Sequence, residues 1–592
     1  MILFIFLKKI VHLSWVSLIK LFYYGCLINN MRYTTFLQYF FIILLGSVPF
    51  YGTAQLFNQK KYFTRADTLR GSITLERAWW DVVKYDLHIT PNIQQHTITG
   101  FNTITFLVTA PGQTMQIDLQ QPLIVDSVVG INKKYKYKQE GNACWVYTSG
   151  WAVTDAPLQQ ITLYYHGKPK EAVKPPWDGG IVWRKDANGN PWVSVACQGL
   201  GASIWWPCKD HQSDEPDSMA IHVTIDSSLV NISNGRLRSV QDNHNGTKTW
   251  SWFVSNPINN YNVTMNIGKY THWHDVYNGE KGLLNLDFWV LDYNLDKAKE
   301  QFKQVKPMLK CFEYWFGPYP FYTDGYKLVE AGYLGMEHQS AIAYGNKFMN
   351  GYLGNDLSNT GWGLRWDYII IHESGHEWFG NNVTTKDMAD MWVHEGFTQY
   401  AEVLYTEFLF GKEAANAYLQ GLRYDIKNDT PIISHYGVNK EGSGDMYAKG
   451  SNLIHMIRTI IHNDTLFRSI LRGLNKTFYH QTVTTQQIEA YINKHSCYNF
   501  TPLFNQYLRT TQIPVLEYAI VKKPKSNYMR YRWTNCIEGF KMKLGGKWDG
   551  VHYTFIPVTT QWQEMDINKL STDIAEVCDK NFYIRCRQVN TQ

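Results

Sequence analysis

Cysteine is sparse and unpatterned, with nine in 592 residues and no two forming a C-x-x-C pair. That excludes a disulfide framework as the scaffold. Leaving aside Cys26 in the leader, each cysteine reads as a small buried hydrophobe. Cys578 and Cys586 are the one pair close enough in sequence to be a disulfide candidate in an exported protein. A net excess of one charge sign is also small. The formal net charge is +6, but Lys8, Lys9, Lys20 and Arg32 fall in a stretch, 1–54, that contains no acid. The remainder carries only about +2, which points away from nucleic acid as a partner. There is no internal repeat and no long low-complexity segment. What the chain has in abundance is aromatic rings, 15% of residues with 22 Trp and 39 Tyr. They suit a large core and an aromatic-walled cleft.

Two apolar stretches precede residue 54. The second opens at Met31-Arg32, runs apolar from Phe40 to Val48 and ends in Gly52-Thr53-Ala54. The run is too short to span a bilayer comfortably, and small residues at 52 and 54 fit a signal-peptidase site before Gln55. Residues 1–54 are therefore expected to be a leader, with 31–54 a cleaved signal peptide and export to the periplasm or medium. The competing expectation is an N-terminal membrane anchor over about Val11–Leu27, interrupted by Lys20 at a cost of a few kcal/mol.

At this length several domains are expected. From about Arg77 to Tyr270 short runs alternate polar and apolar, as in Lys84-Tyr85-Asp86-Leu87-His88-Ile89, with turns at Asn188-Gly189-Asn190 and Asn234-Gly235. This is a strand pattern. From about Asn294 the period becomes helical and stays so to about Leu508. Strand patterns return from Pro514 to Ile584, enough for a small β-sandwich. The expected boundaries are 55–272, 273–512 and 513–592, an α+β multidomain chain.

The chemistry is concentrated at His372-Glu373-Ser374-Gly375-His376, with Glu395 after eighteen intervening residues. Histidines four apart on a helix share one face, where both imidazoles can bind one Zn²⁺. Glu395 supplies a third ligand from a following helix expected to run to about Phe410. Two His and one Glu leave a fourth position open, as in a catalytic site. Glu373 lies on the same helix, within reach of a water activated by the metal. The apolar lead-in Tyr368-Ile369-Ile370-Ile371 and the closing Trp378-Phe379-Gly380 suit a buried helix ended by glycine.

These residues, HESGHEWFG followed by Asn381-Asn382-Val383-Thr384 and then WVHEGFTQYAE from Trp392 to Glu402, closely resemble the zinc aminopeptidases related to aminopeptidase N and leukotriene hydrolase. Three further stretches carry the same resemblance: Leu334-Gly335-Met336-Glu337-His338 at the exopeptidase motif, Gln198 with Trp206-Pro207-Cys208-Lys209-Asp210 near the amine pocket, and Tyr447-Ala448-Lys449-Gly450. The resemblance implies a β-saddle domain, a thermolysin-like, mostly helical catalytic domain and a small β-sandwich, with no room for the helical fourth domain of many members. It implies one Zn²⁺ per chain on His372, His376 and Glu395, Glu373 as general base and Tyr447 as the donor that stabilises the developing oxyanion. Substrate binding falls to Glu337, Gln198, Gly335 and Met336, with Glu337 pairing the free α-ammonium of a peptide. Peptides with a free N-terminus are the implied substrates. The oligomeric state is left open.

Three positions depart from the family pattern. Leu334 stands where Gly is usual and bars conformations that Gly permits, so the loop is expected to run differently. His338 replaces Asn, a group that ordinarily titrates near neutrality and is expected to alter pH dependence. His394 replaces the Asn before the third ligand. The rival functions are an epoxide hydrolase of leukotriene-hydrolase type, a non-catalytic binding member of the same fold, and an endopeptidase resembling thermolysin.

Overall fold

The computed structural model describes residues 62–151, 158–524, 526–567, 574 and 578–590. The leader, its signal-peptide reading and the anchor at Val11–Leu27 lie outside the described residues. No described helix is long and apolar enough to cross a membrane. Phe57–Gln592 forms one compact unit.

Alternating residues place one face of each long N-terminal strand in the core. In β1 (Trp80–Asn92), Tyr85, Leu87 and Ile89 are buried while their neighbours are less so. β1 pairs antiparallel with β2 (Thr97–Val108) and parallel with β3 (Ser218–Asp226), at the centre of an eight-stranded sheet. A smaller sheet orders Val230–Ser233, Met265–Gly268, Pro191–Ala196 and Gly180–Lys185. The chain leaves it at Cys197 and Gln198, which carries Gln198 towards the site.

A five-stranded sheet comes next. Tyr270–Gly279 and β4 (Gly282–Leu291) form a hairpin, and β4 runs parallel to β5 (Tyr326–Glu330). The short β6 (Gly335–Met336) pairs at the edge with β7 (Ile342–Tyr344). The expected boundary at 272/273 therefore falls inside a strand, because the hairpin belongs to the sheet that also carries Gly335 and Met336.

The helical run begins with Leu295–Gln301 and ends with Thr501–Arg509, within one or two residues of the expected limits. Its members include α1 (Val305–Phe316), α2 (Tyr368–Gly375), α3 (Trp392–Phe410) and α4 (Ala448–Ile461). Asp367 caps α2, its side chain accepting from the Ile369 and Ile370 N–H groups. All eight residues of α2 are buried. α2 stops at Gly375, not at Gly380. Tight turns follow, with the Trp378 and Phe379 N–H groups both donating to Gly375 O, until Gly380 takes φ +139 and hands the chain to Val383–Thr385. Helix α3 ends at Phe410 as expected, with Gly411 at φ +87. Strands return from Val515, as a four-stranded sheet and a two-stranded hairpin.

Candidate active site

His376 sits one residue beyond α2 but keeps its place on the helix face. His372 Nε2 and His376 Nε2 are 3.3 Å apart, and they lie 3.5 and 3.4 Å from Glu395 Oε2. α3 crosses α2 so that Glu395, in its first turn, reaches both rings. All three residues are at most 4% exposed. Glu395 Oε2 is buried without a hydrogen-bond donor, which is costly unless a cation meets it. Three donors about 2.0–2.1 Å from a tetrahedral zinc stand about 3.3–3.4 Å from one another. The set therefore fits Zn²⁺ in spacing, donor type and an otherwise orphaned carboxylate oxygen.

A second layer fixes the rings. Glu402 Oε1 lies 2.6 Å from His372 Nδ1, while Glu402 Oε2 accepts from Gln399 Nε2 at 2.8 Å and the Tyr418 hydroxyl at 2.6 Å. A carboxylate so placed draws the proton to Nδ1 and leaves the Nε2 lone pair facing the donor set. His376 Nδ1 does the same with Phe379 O at 3.0 Å.

Glu373 is buried on the same helix, and burial pushes its carboxyl up, opposed by the charge of His372. Carboxylate oxygens of Glu373 and Glu337 and a ring nitrogen of His376 all lie within 4.8 Å of one another. Glu337 follows β6 directly. Its Oε1 accepts from Gln198 Nε2 at 2.7 Å and from the Tyr261 hydroxyl at 3.1 Å. Gln198 Nε2 also reaches towards Glu395 Oε1, at 3.5 Å. With its N–H spent on Glu337, Gln198 keeps its carbonyl oxygen as an acceptor. Gly335 allows a close approach, since a Cβ there would lie 2.7 Å from Ile369 Cγ2 on α2. Met336 is buried beside it in β6. Tyr447 precedes α4, and its ring stacks on His372 with centroids 6.0 Å apart. Burial, then the Glu395 charge, holds its phenol well above the usual range, so it remains a donor.

The structure brings all nine predicted residues together, and it corrects the departures. Leu334 takes no left-handed backbone and packs partly buried against the core. His338 is wholly buried and burial pushes its ring down to about 3, far from neutrality. His394 is likewise pushed down to about 3, and its Nε2 accepts the Thr385 N–H at 2.9 Å. The Trp206–Asp210 segment is a buttress. Lys209 pairs with Asp214, and the Asp210 carboxylate accepts from the Ser203 N–H. The Cys578 and Cys586 sulfurs lie 3.8 Å apart.

Sequence reasoning missed Tyr261 and Glu402. Glu402 had a signal, being seven residues after Glu395 and so on the same face of α3. Tyr261 had none, because it reaches Glu337 from a loop 76 residues away.

A buried helix presenting two imidazoles, a crossing helix presenting a carboxylate and a base beside them define the metallopeptidase class with an HExxH helix. Residues 293–507, about a third of the chain, match the peptidase family M1 domain. A probable aminopeptidase 2 of Sulfurisphaera tokodaii is 22% identical over 392 residues, 63% of this chain and 47% of its own length. Rat aminopeptidase B is 24% identical over 53% of this chain and 48% of its own. The chain thus spans about half the length of these relatives. The M1 zinc metallopeptidase of Deinococcus radiodurans has the same fold, with a TM-score of 0.63 at 20% identity, over 74% of this chain and 96% of that one.

Proposed function

We propose that this protein is a zinc aminopeptidase that removes the first residue of peptides. The observation that carries this reading is the fixed Glu337 carboxylate, held by Tyr261 and Gln198 beside the His372–His376–Glu395 donor set. An endopeptidase has no use for a buried carboxylate at that point, whereas a free α-ammonium supplies the counter-charge it lacks. Glu337 and the carbonyl of Gln198 bind that ammonium and fix the distance from chain start to scissile bond.

Zinc, when bound, supplies Lewis acidity towards the scissile carbonyl and lowers the pKa of water. Glu373 then takes the proton of the attacking water and returns it to the leaving amine. Tyr447 donates to the carbonyl oxygen as negative charge gathers there. Glu402 and Phe379 O keep the two imidazoles in the tautomer that the metal needs. The saddle, thermolysin-like and sandwich division belongs to this reading, as does export after cleavage near Gln55. N-terminal sequencing of the mature protein tests the latter.

The decisive experiment is a rate survey of aminoacyl amides with and without a free amine, repeated after chelation. Hydrolysis only of free-amine substrates, lost to the chelator and restored by Zn²⁺, is the expected result. Equal cleavage of acetylated peptides at internal bonds refutes it.

A further inference from the structure

A further carboxylate lies beside the same site and the steps above do not use it. Glu441 lies six residues before Tyr447, and its Oε1 comes within 3.5 Å of where a Cβ on Gly199 would stand. Gly199 is the neighbour of the amine-binding Gln198. The segment carrying Glu441 is pinned on both sides. Asn439 donates its backbone N–H to Asp67 O and its side-chain amide to Gly199 O. On the far side, Gly442 packs so tightly that a Cβ would meet Ile432 O at 1.6 Å, and the Ser443 N–H donates to Pro431 O.

Glu441 is half-buried, walled by protein yet reached by solvent. It makes no hydrogen bond or ion pair with the described chain, and the charges that act on it, Glu395 and Glu337, are both acidic. The adjacent Lys440 is turned away over the Phe63 ring. Burial, reinforced by those two acids, pushes the Glu441 carboxyl up to about 8. A carboxyl kept in such a place without a partner is a cost unless a cation arrives from outside.

We propose that Glu441 selects substrates whose first residue has a cationic side chain, arginine or lysine, by pairing with that side chain while Glu337 holds the α-ammonium. This rests on the aminopeptidase reading above. Glu337 accepts from Gln198 and Glu441 lies beside the adjoining Gly199, so the α-ammonium and the side-chain cation of one residue each find an acid. The Glu337 pair is indifferent to the side chain, and the Glu441 pair discriminates. Glu395 is engaged by the metal when zinc is present, which leaves Glu441 as the acid open to a side chain.

Arginine and citrulline amides separate the effect of charge from that of shape, because citrulline is nearly isosteric and neutral. Wild type is expected to favour the arginine amide in kcat/KM by a factor on the order of 30, a modest value for a partly desolvated pair. In Glu441→Gln that ratio should fall towards one, with Glu441→Asp retaining part of it. Circular dichroism confirms that the variants are folded. Calorimetric binding of free L-arginine against free L-citrulline gives a readout independent of turnover. An arginine-to-citrulline ratio near one in the wild type, or a ratio unchanged by Glu441→Gln, overturns the proposal. Failure to hydrolyse any free-amine amide, with arginine still bound in preference to citrulline through Glu441, overturns the aminopeptidase reading and leaves this assignment standing.

Discussion

Glu402 stands 2.6 Å from His372 Nδ1, on the side of the ring away from Glu395. The two acids are two turns apart on α3 and grip one imidazole from opposite sides, one through each nitrogen. The metal site is therefore a property of two crossed helices rather than of the HExxH segment alone. Wild type should carry one Zn²⁺ per chain by elemental analysis. His376→Ala should carry none, and Glu402→Ala should bind it about 10–100-fold more weakly. A His376→Ala protein that still holds one firmly bound zinc refutes the ligand assignment.

Glu373→Gln should retain zinc and substrate binding and lose several orders of magnitude in kcat, since an amide cannot accept the water's proton. Tyr447→Phe should lower kcat with little change in KM, because its hydrogen bond strengthens only as charge develops. Steady-state kinetics with bound zinc measured in parallel separates these from metal loss. Wild-type turnover in either variant removes that residue from the mechanism.

Losing a buried charge partner typically costs about 2–5 kcal/mol. Glu337→Ala should lose most activity on free-amine amides and also discriminate less against acetylated ones. Tyr261→Phe removes one hydrogen bond to a charged acceptor, worth about 1.5–3 kcal/mol. It should raise KM for free-amine substrates about tenfold or more and leave the zinc content unchanged. If Tyr261→Phe behaves as wild type, Glu337 is positioned by Gln198 alone.

Most of this site was legible because its chemistry is local. The spacing of His372 and His376 along a helix, and the apolar runs around them, carry the metal geometry without knowledge of the fold. The change from period two to helical period near Asn294, and back near Pro514, was equally plain, because burial alternates with the backbone geometry. What was not legible depends on long-range packing. Nothing near residue 261 shows that its hydroxyl ends beside Glu337. Nothing in Met-Glu-His shows that His338 is sealed from water. The boundary expected at 272 lies inside the strand Tyr270–Gly279, whose hairpin completes the sheet that follows. Helix α2 ends early because tight turns at Gly375, not the glycine at 380, redirect the backbone.

Buried neutral histidines away from the metal give the protein a definite acid lability. His455 on α4 is 5% exposed, accepts or donates at 3.1 Å to the Tyr400 hydroxyl, and is pushed down to about 3 by burial and by Arg458. His211 and His480 are pushed down to about 4, chiefly by burial. An unfolded histidine titrates near 6.5. Between about pH 6.5 and the folded values, the unfolded chain thus binds protons that the native one refuses. Stability is then complete above pH 6.5 and is lost as pH falls, by up to about 1.4 kcal/mol per pH unit for each such histidine. Urea unfolding at pH 4.5, 5.5, 6.5 and 7.5 should show this slope, and His455→Gln should flatten it between pH 4.5 and 6.5 even if it lowers stability at pH 7.5. An unchanged slope in the variant removes His455 from the source of this lability.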